Sequence, residues 1–194
     1  MKSVLLLGSI LLLSACGSMQ SQVVKKNVAF DPDSQAQIRS YGSYGSDLIR
    51  IYPETDCAKW EGTKRNTVNR RFVNGLPRKV RNISIGIPPT ELSRKTEKDT
   101  GFVFRDSYRE MVVSANQPVV LDGAFSSQTR NHHYSCRVAA SFTPKAGEAY
   151  EVRYLLEEEG CDIEVYHIGH EEKDGVRPTK KLTANYCAKP GTSF

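Results

Sequence analysis

Much of the chain alternates apolar and polar residues with a period of two. Tyr134, Cys136, Val138, Ala140 and Phe142 share one face, and after a turn at 144–147 so do Tyr150, Val152, Tyr154 and Leu156. This period describes a strand with one face in a core and the other in water. Ile163 and Val165, and then Leu182, Ala184 and Tyr186, continue it. Residues 35–41 and 47–52 flank the turn-like YGSYGS and read as a hairpin. Residues 70–73 and 76–81 flank Asn74-Gly75, a dipeptide that tolerates positive φ and so suits a tight hairpin turn. Ile83, Ile85 and Ile87 alternate until Pro88-Pro89 ends the run, and residues 102–104, 110–115 and 118–121 add further strands. Residues 90–100 are polar and charged, an exposed loop with room for one helical turn. With no amphipathic helix of ten residues and no internal repeat, the pattern predicts an all-β domain of roughly nine or ten short strands. The expected architecture is a disulfide-stapled β-sandwich, immunoglobulin-like or transthyretin-like in general shape, with a small β-barrel as the alternative.

The first residues follow another rule. After Lys2, residues 4–13 form an apolar run broken only by Gly8 and Ser9. It suits the apolar region of an export signal and falls short of the roughly 20 residues a bilayer span needs. The run ends in Leu13-Ser14-Ala15-Cys16, which resembles the lipobox of bacterial lipoproteins. The resemblance implies that Cys16 receives a diacylglyceryl group, that the chain is cut before it, and that the new amino group is acylated. Three acyl chains, at about 0.8 kcal/mol per buried CH₂, make a stable anchor. Gly17 in place of Asp implies, by enterobacterial sorting rules, the outer membrane. The chain then divides into a signal peptide (1–15), a lipidated cysteine with its tether (16–33) and a single β-rich domain (34–194). Val23, Val24, Val28 and Phe30 offer an alternative within the tether, a first strand. A mean hydropathy of −0.47 fits a water-exposed mature domain.

Four cysteines remain: Cys57, Cys136, Cys161 and Cys187. An even number in an exported chain without a CxxC pair points to two disulfides rather than zinc. If 134–142, 150–156 and 161–168 form a meander, Cys136 and Cys161 lie two strands apart, about 9.6 Å. That exceeds the roughly 7 Å a disulfide spans between Cα atoms. A hairpin between 161–168 and 181–187 would instead set Cys161 opposite Cys187, so the expected bridges are Cys161–Cys187 and Cys57–Cys136.

The net charge of +5 is unevenly spread. Residues 64–81 hold seven Lys/Arg and no acid, whereas 148–174 hold ten acids against Arg153 and Lys173. Arg70, Arg71, Arg78, Lys79 and Arg81 are therefore candidate contacts for another envelope protein or an anionic envelope polymer. The plainer account is an edge hairpin whose cations discourage strand addition. Nucleic acid is not an expected partner at this address.

His132, His133, His167 and His170 are candidate ligands for a divalent metal, the last two beside Glu171, Glu172 and Asp174. Solvent-exposed loop histidines are the simpler reading, and no metal or other cofactor is expected. No GxSxG elbow presents a nucleophile, and YGSYG lacks the Lys and helix of a phosphate loop. Residues 134–168 (YSCRVAASFTPKAGEAYEVRYLLEEEGCDIEVYHI) resemble a C-terminal hairpin of uncharacterised proteobacterial lipoproteins. That likeness implies a compact β domain and carries no catalytic residue. The expected function is a non-enzymatic binding or scaffolding role at the cell envelope. A small-ligand or metal-binding lipoprotein is the alternative, and a cell-wall hydrolase the second.

Overall fold

The computed structural model describes residues 23–42, 48–67, 72–73, 76–77, 81–99, 105–128, 130–131, 133–158 and 160–193. Its strands are β1 (Val23–Lys25), β2 (Gln35–Gly42), β3 (Leu48–Tyr52), β4 (Asn66–Thr67), β5 (Phe72–Val73), β6 (Leu76–Pro77) and β7 (Asn82–Ser84). After helix α1 (Glu91–Lys98) come β8 (Ser107–Ser114), β9 (Val119–Gln128), β10 (His133–Phe142), β11 (Ala149–Glu157), β12 (Gly160–Ile168), β13 (Thr179–Leu182) and β14 (Asn185–Ser193). A seven-stranded sheet runs β1-β7-β8-β2-β11-β12-β13, and a five-stranded sheet runs β14-β10-β9-β3-β4. Among the described residues no strand pairing joins the two, so the expected alternative of a barrel is not found.

Most of the alternating residues face inward as their period requires, but Leu156 at the end of β11 and Tyr186 on β14 are exposed. Ala36, Ile38, Val152, Tyr154, Ile163 and Val165 of the larger sheet meet Ile49, Ile51, Val119, Leu121, Val138 and Ala140 of the smaller one in one core. Each such aliphatic side chain, fully buried, contributes roughly 1.5–3 kcal/mol before entropy is subtracted. Gly123 on β9 is required by this packing: a Cβ there would overlap the ring of Tyr154, which is fixed by donating from its hydroxyl to the Cys136 carbonyl at 3.2 Å.

Several expectations change. Residues 35–41 and 48–52 are strands, but β2 and β3 belong to different sheets and do not form a hairpin. The expected meander fails in the same way, because the chain leaves the smaller sheet at Phe142 and enters the larger at Ala149. That crossing is held by Asn116 N–H on Pro144 O (2.8 Å) and Gly147 N–H on Gln35 O (2.9 Å). Gly147 has φ +75°, and a Cβ there would crowd the Pro32 carbonyl at 3.3 Å. The disulfide partners are consequently exchanged. Cys136 of β10 bonds to Cys161 of β12, with Cα atoms 6.1 Å apart, and Cys57 bonds to Cys187. The strand-spacing estimate applied to one sheet. Across two facing sheets, inward cysteines close the gap directly. The hairpin of β12 with β13 does form, pairing Val165 with Leu182, but Cys187 lies beyond it on β14 in the other sheet.

The isoleucine strand ends at Ser84, because Ile85, Gly86 and Ile87 turn their N–H groups to the Glu110 carboxylate instead of a neighbouring strand. Residues 91–98 form two helical turns rather than one. Thr90 accepts from Ser93 N–H while the Ser93 hydroxyl accepts from Thr90 N–H, a reciprocal cap. Val23–Lys25, within the tether as first drawn, pair in parallel with β7. The β5–β6 ribbon pairs Val73 with Leu76 as expected, while its turn (74–75) and the strand expected at 102–104 lie outside the described residues. The sheet edges are β1 and β13 on the larger sheet and β14 and β4 on the smaller.

Candidate functional site

The outer face of the larger sheet carries a polar row straight across its strands. Register places Glu110, Arg39, Glu151, Tyr166 and Lys181 side by side on β8, β2, β11, β12 and β13. Glu110, Arg39 and Glu151 are buried. Arg39 donates from Nε and Nη2 to Glu110 Oε1 (2.9 and 2.7 Å) and from Nη1 to Glu151 Oε1 (3.1 Å). Its Nη2 also reaches the carbonyls of Ile87 (2.7 Å) and Pro88 (3.1 Å). The other Glu110 oxygen accepts from Ser84 Oγ and from the N–H groups of 85–87. Glu151 further accepts from Tyr41 Oη at 2.6 Å and from Thr90 Oγ1. Burial pushes the Tyr41 phenol up, and the Glu151 carboxylate pushes it the same way, so Tyr41 stays a proton donor. Together these bonds fasten the 84–90 segment and the start of α1 onto the sheet.

Beside the pinned helix the face opens into a cleft of about 920 Å³. Thr90, Lys95, Arg153, Glu172 and Arg177 are among its lining residues. Arg153 stacks over the Tyr166 ring (4.2 Å to the centroid) and points Nη2 at Glu164 (3.4 Å). Arg177 is held through its backbone, whose N–H donates to Pro89 O at 2.8 Å. Among the described residues, the buried Nε atoms of Arg153 and Arg177 have no hydrogen-bond partner. Buried donors normally find acceptors, so these two atoms, both shut off from solvent, are exceptions among the described residues.

A second convergence lies where β11 begins and β12 ends. Pairing of Ala149 with Ile168 and of Tyr150 with His167 brings Glu148 beside the last residues of β12. Nε2 of His167 is 2.5 Å and Nε2 of His170 is 3.1 Å from Glu148 Oε2. One ligand atom from each of the three lies within 4.8 Å of the other two. The hydrogen bond with His167 outweighs partial burial and holds the Glu148 carboxyl below the usual carboxylate range. His167 also packs edge-on against Tyr150, with centroids 5.7 Å apart.

The remaining candidates are not brought to either place. Cys16, Arg70, Arg71, Arg78, Lys79 and His132 lie outside the described residues, and Arg81 is exposed just before β7. His133 opens β10 in solvent, 3.4 Å from Ser126 Oγ on the neighbouring strand. All four of Cys57, Cys136, Cys161 and Cys187 are disulfide-bonded.

Glu148, Arg153 and Arg177 escaped the sequence reading. The signal for Glu148 was present: counting the hairpin register outward from the acidic turn after Glu157 sets it next to Gly169 and therefore near His167 and His170. Arg177 had no such signal, since its place depends on a loop returning to Pro89. Comparison with family models, curated proteins and solved structures finds no match.

Proposed function

We propose that the chain is a lipid-anchored cell-envelope protein with a non-enzymatic binding role, its domain an immunoglobulin-like or transthyretin-like sandwich. The lipobox at Cys16 supports the anchor. Binding rests on one observation, the cleft of the larger sheet lined by Arg153 and Arg177. A carboxylate entering there meets the guanidinium groups of Arg153 and Arg177, which form charge-assisted hydrogen bonds with such an acceptor. Around them Glu91, Glu171, Glu172 and Asp174 alternate with Lys95 and Lys173, a rim of both signs that suits a protein segment of mixed charge rather than a uniformly anionic polymer.

Photo-crosslinking in living cells tests this reading, with probes at Lys95 and Glu172 on the rim and at Arg78 in the basic stretch. The expected result is one discrete protein adduct from the rim positions, lost when Arg177→Met is added. Cys16→Ser should move the protein out of the membrane fraction. No adduct from either rim position, or an adduct indifferent to Arg177, counts against the cleft as the binding surface.

A further inference from the structure

We infer that Glu148, His167 and His170 form a binding site for a borderline divalent transition ion of the zinc class. The donor set is two imidazole nitrogens and one carboxylate oxygen, which suits such ions and leaves coordination positions open to water. In a tetrahedral zinc site, bonds of about 2.0–2.2 Å place ligand atoms about 3.3 Å apart. The separations of 2.5 and 3.1 Å to the shared carboxylate oxygen are both shorter than that, so the ligands spread by less than about 1 Å to admit the ion. The larger part of that movement falls to the Glu148–His167 pair, both partly exposed, and the smaller part to His170, whose side chain is 67% exposed.

The backbone under all three ligands is fixed independently of any metal. The Glu148 carbonyl accepts from Gln37 N–H at 3.0 Å, and the preceding Gly147 is bonded to Gln35. His167 lies in the β12 ladder opposite Tyr150. Gly169 donates to Pro178 O at 2.8 Å, which fastens the base of the loop carrying His170. Ligands on fixed elements lose little freedom when an ion arrives. Both imidazoles direct Nε2 at the same carboxylate, so an ion seated among them meets both nitrogens and the oxygen. The imidazoles then bind as neutral rings protonated at Nδ1. The thiols of the four described cysteines are consumed in disulfides and do not compete for the ion.

Titration calorimetry with Zn²⁺ on the folded, disulfide-bonded chain decides the matter. One ion per chain should bind, with affinity reduced at least about tenfold by His170→Gln and by Glu148→Gln. His133→Gln, on the distant exposed strand end, should change nothing. His170 is at the surface, so its variant tests the site without disturbing the fold, and circular dichroism checks that it has not. Imidazole NMR signals of His167 and His170 should shift on adding Zn²⁺ and return on adding a chelator. Heat that never saturates, or binding that His170→Gln leaves unchanged, overturns the assignment.

Discussion

Replacing Arg39 with methionine would leave Glu110 and Glu151 facing each other in the interior without their cation. Arg39 is 2% exposed, and the loss should be about 3–5 kcal/mol, read as a lower urea midpoint. An apolar swap of the whole trio would not restore it, because Glu110 also accepts three backbone N–H groups that would then be orphaned. Single-residue chemistry was partly legible in the sequence. His167 and His170 were recognisable as potential ligands by type and spacing, and the cysteines as disulfide formers by number. Arg39, Glu110 and Glu151 were not, because a charged residue on a strand's polar face reads as solvent-facing until something covers that face. Here α1 and the 84–90 segment cover it.

Individual strands were more legible than residues, and the helix was not. Strand periodicity is imposed by burial on one face: β12 buries Cys161, Ile163 and Val165 in alternation, while β10 and β11 bury Ala139 and Glu151 on the opposite face as well. Helix α1 buries Ser93 and Thr96 instead of an apolar stripe, so hydrophobic period gives no sign of it. Its identity lies in the cap. Thr90 accepts from Ser93 N–H and donates to Glu151, joining helix start and sheet through one hydroxyl. Thr90→Ala should cost about 1–2 kcal/mol in chemical denaturation, and Thr90→Ser should recover most of it.

For the molecule as a whole, the two disulfides differ in what they protect. Cys136 and Cys161 are 1% and 3% exposed and bolt the sheets together through the core, whereas Cys57 and Cys187 are half-buried. Under mild reductant with an alkylating trap, Cys57 and Cys187 should be labelled first. Cys136 and Cys161 should follow only with global unfolding, as peptide mass analysis over time would show. The order reverses if the sheets separate easily. This level was the least legible. Alternation tells which face of a strand is buried but not which strand lies beside it, so neighbours in sequence were paired that the fold places in opposite sheets.

The sheet edges carry a last consequence. Exposed edges of β-proteins recruit further strands, the first step toward fibres and tangled oligomers. β4 and β1 are two and three residues long, β13 contains Lys180 and Lys181, and β14 contains Pro190 and breaks in register against β10. None offers a long, regular row of free N–H and C=O groups. Copies of the domain held at high local concentration should therefore resist edge-to-edge pairing through either of the two larger sheets.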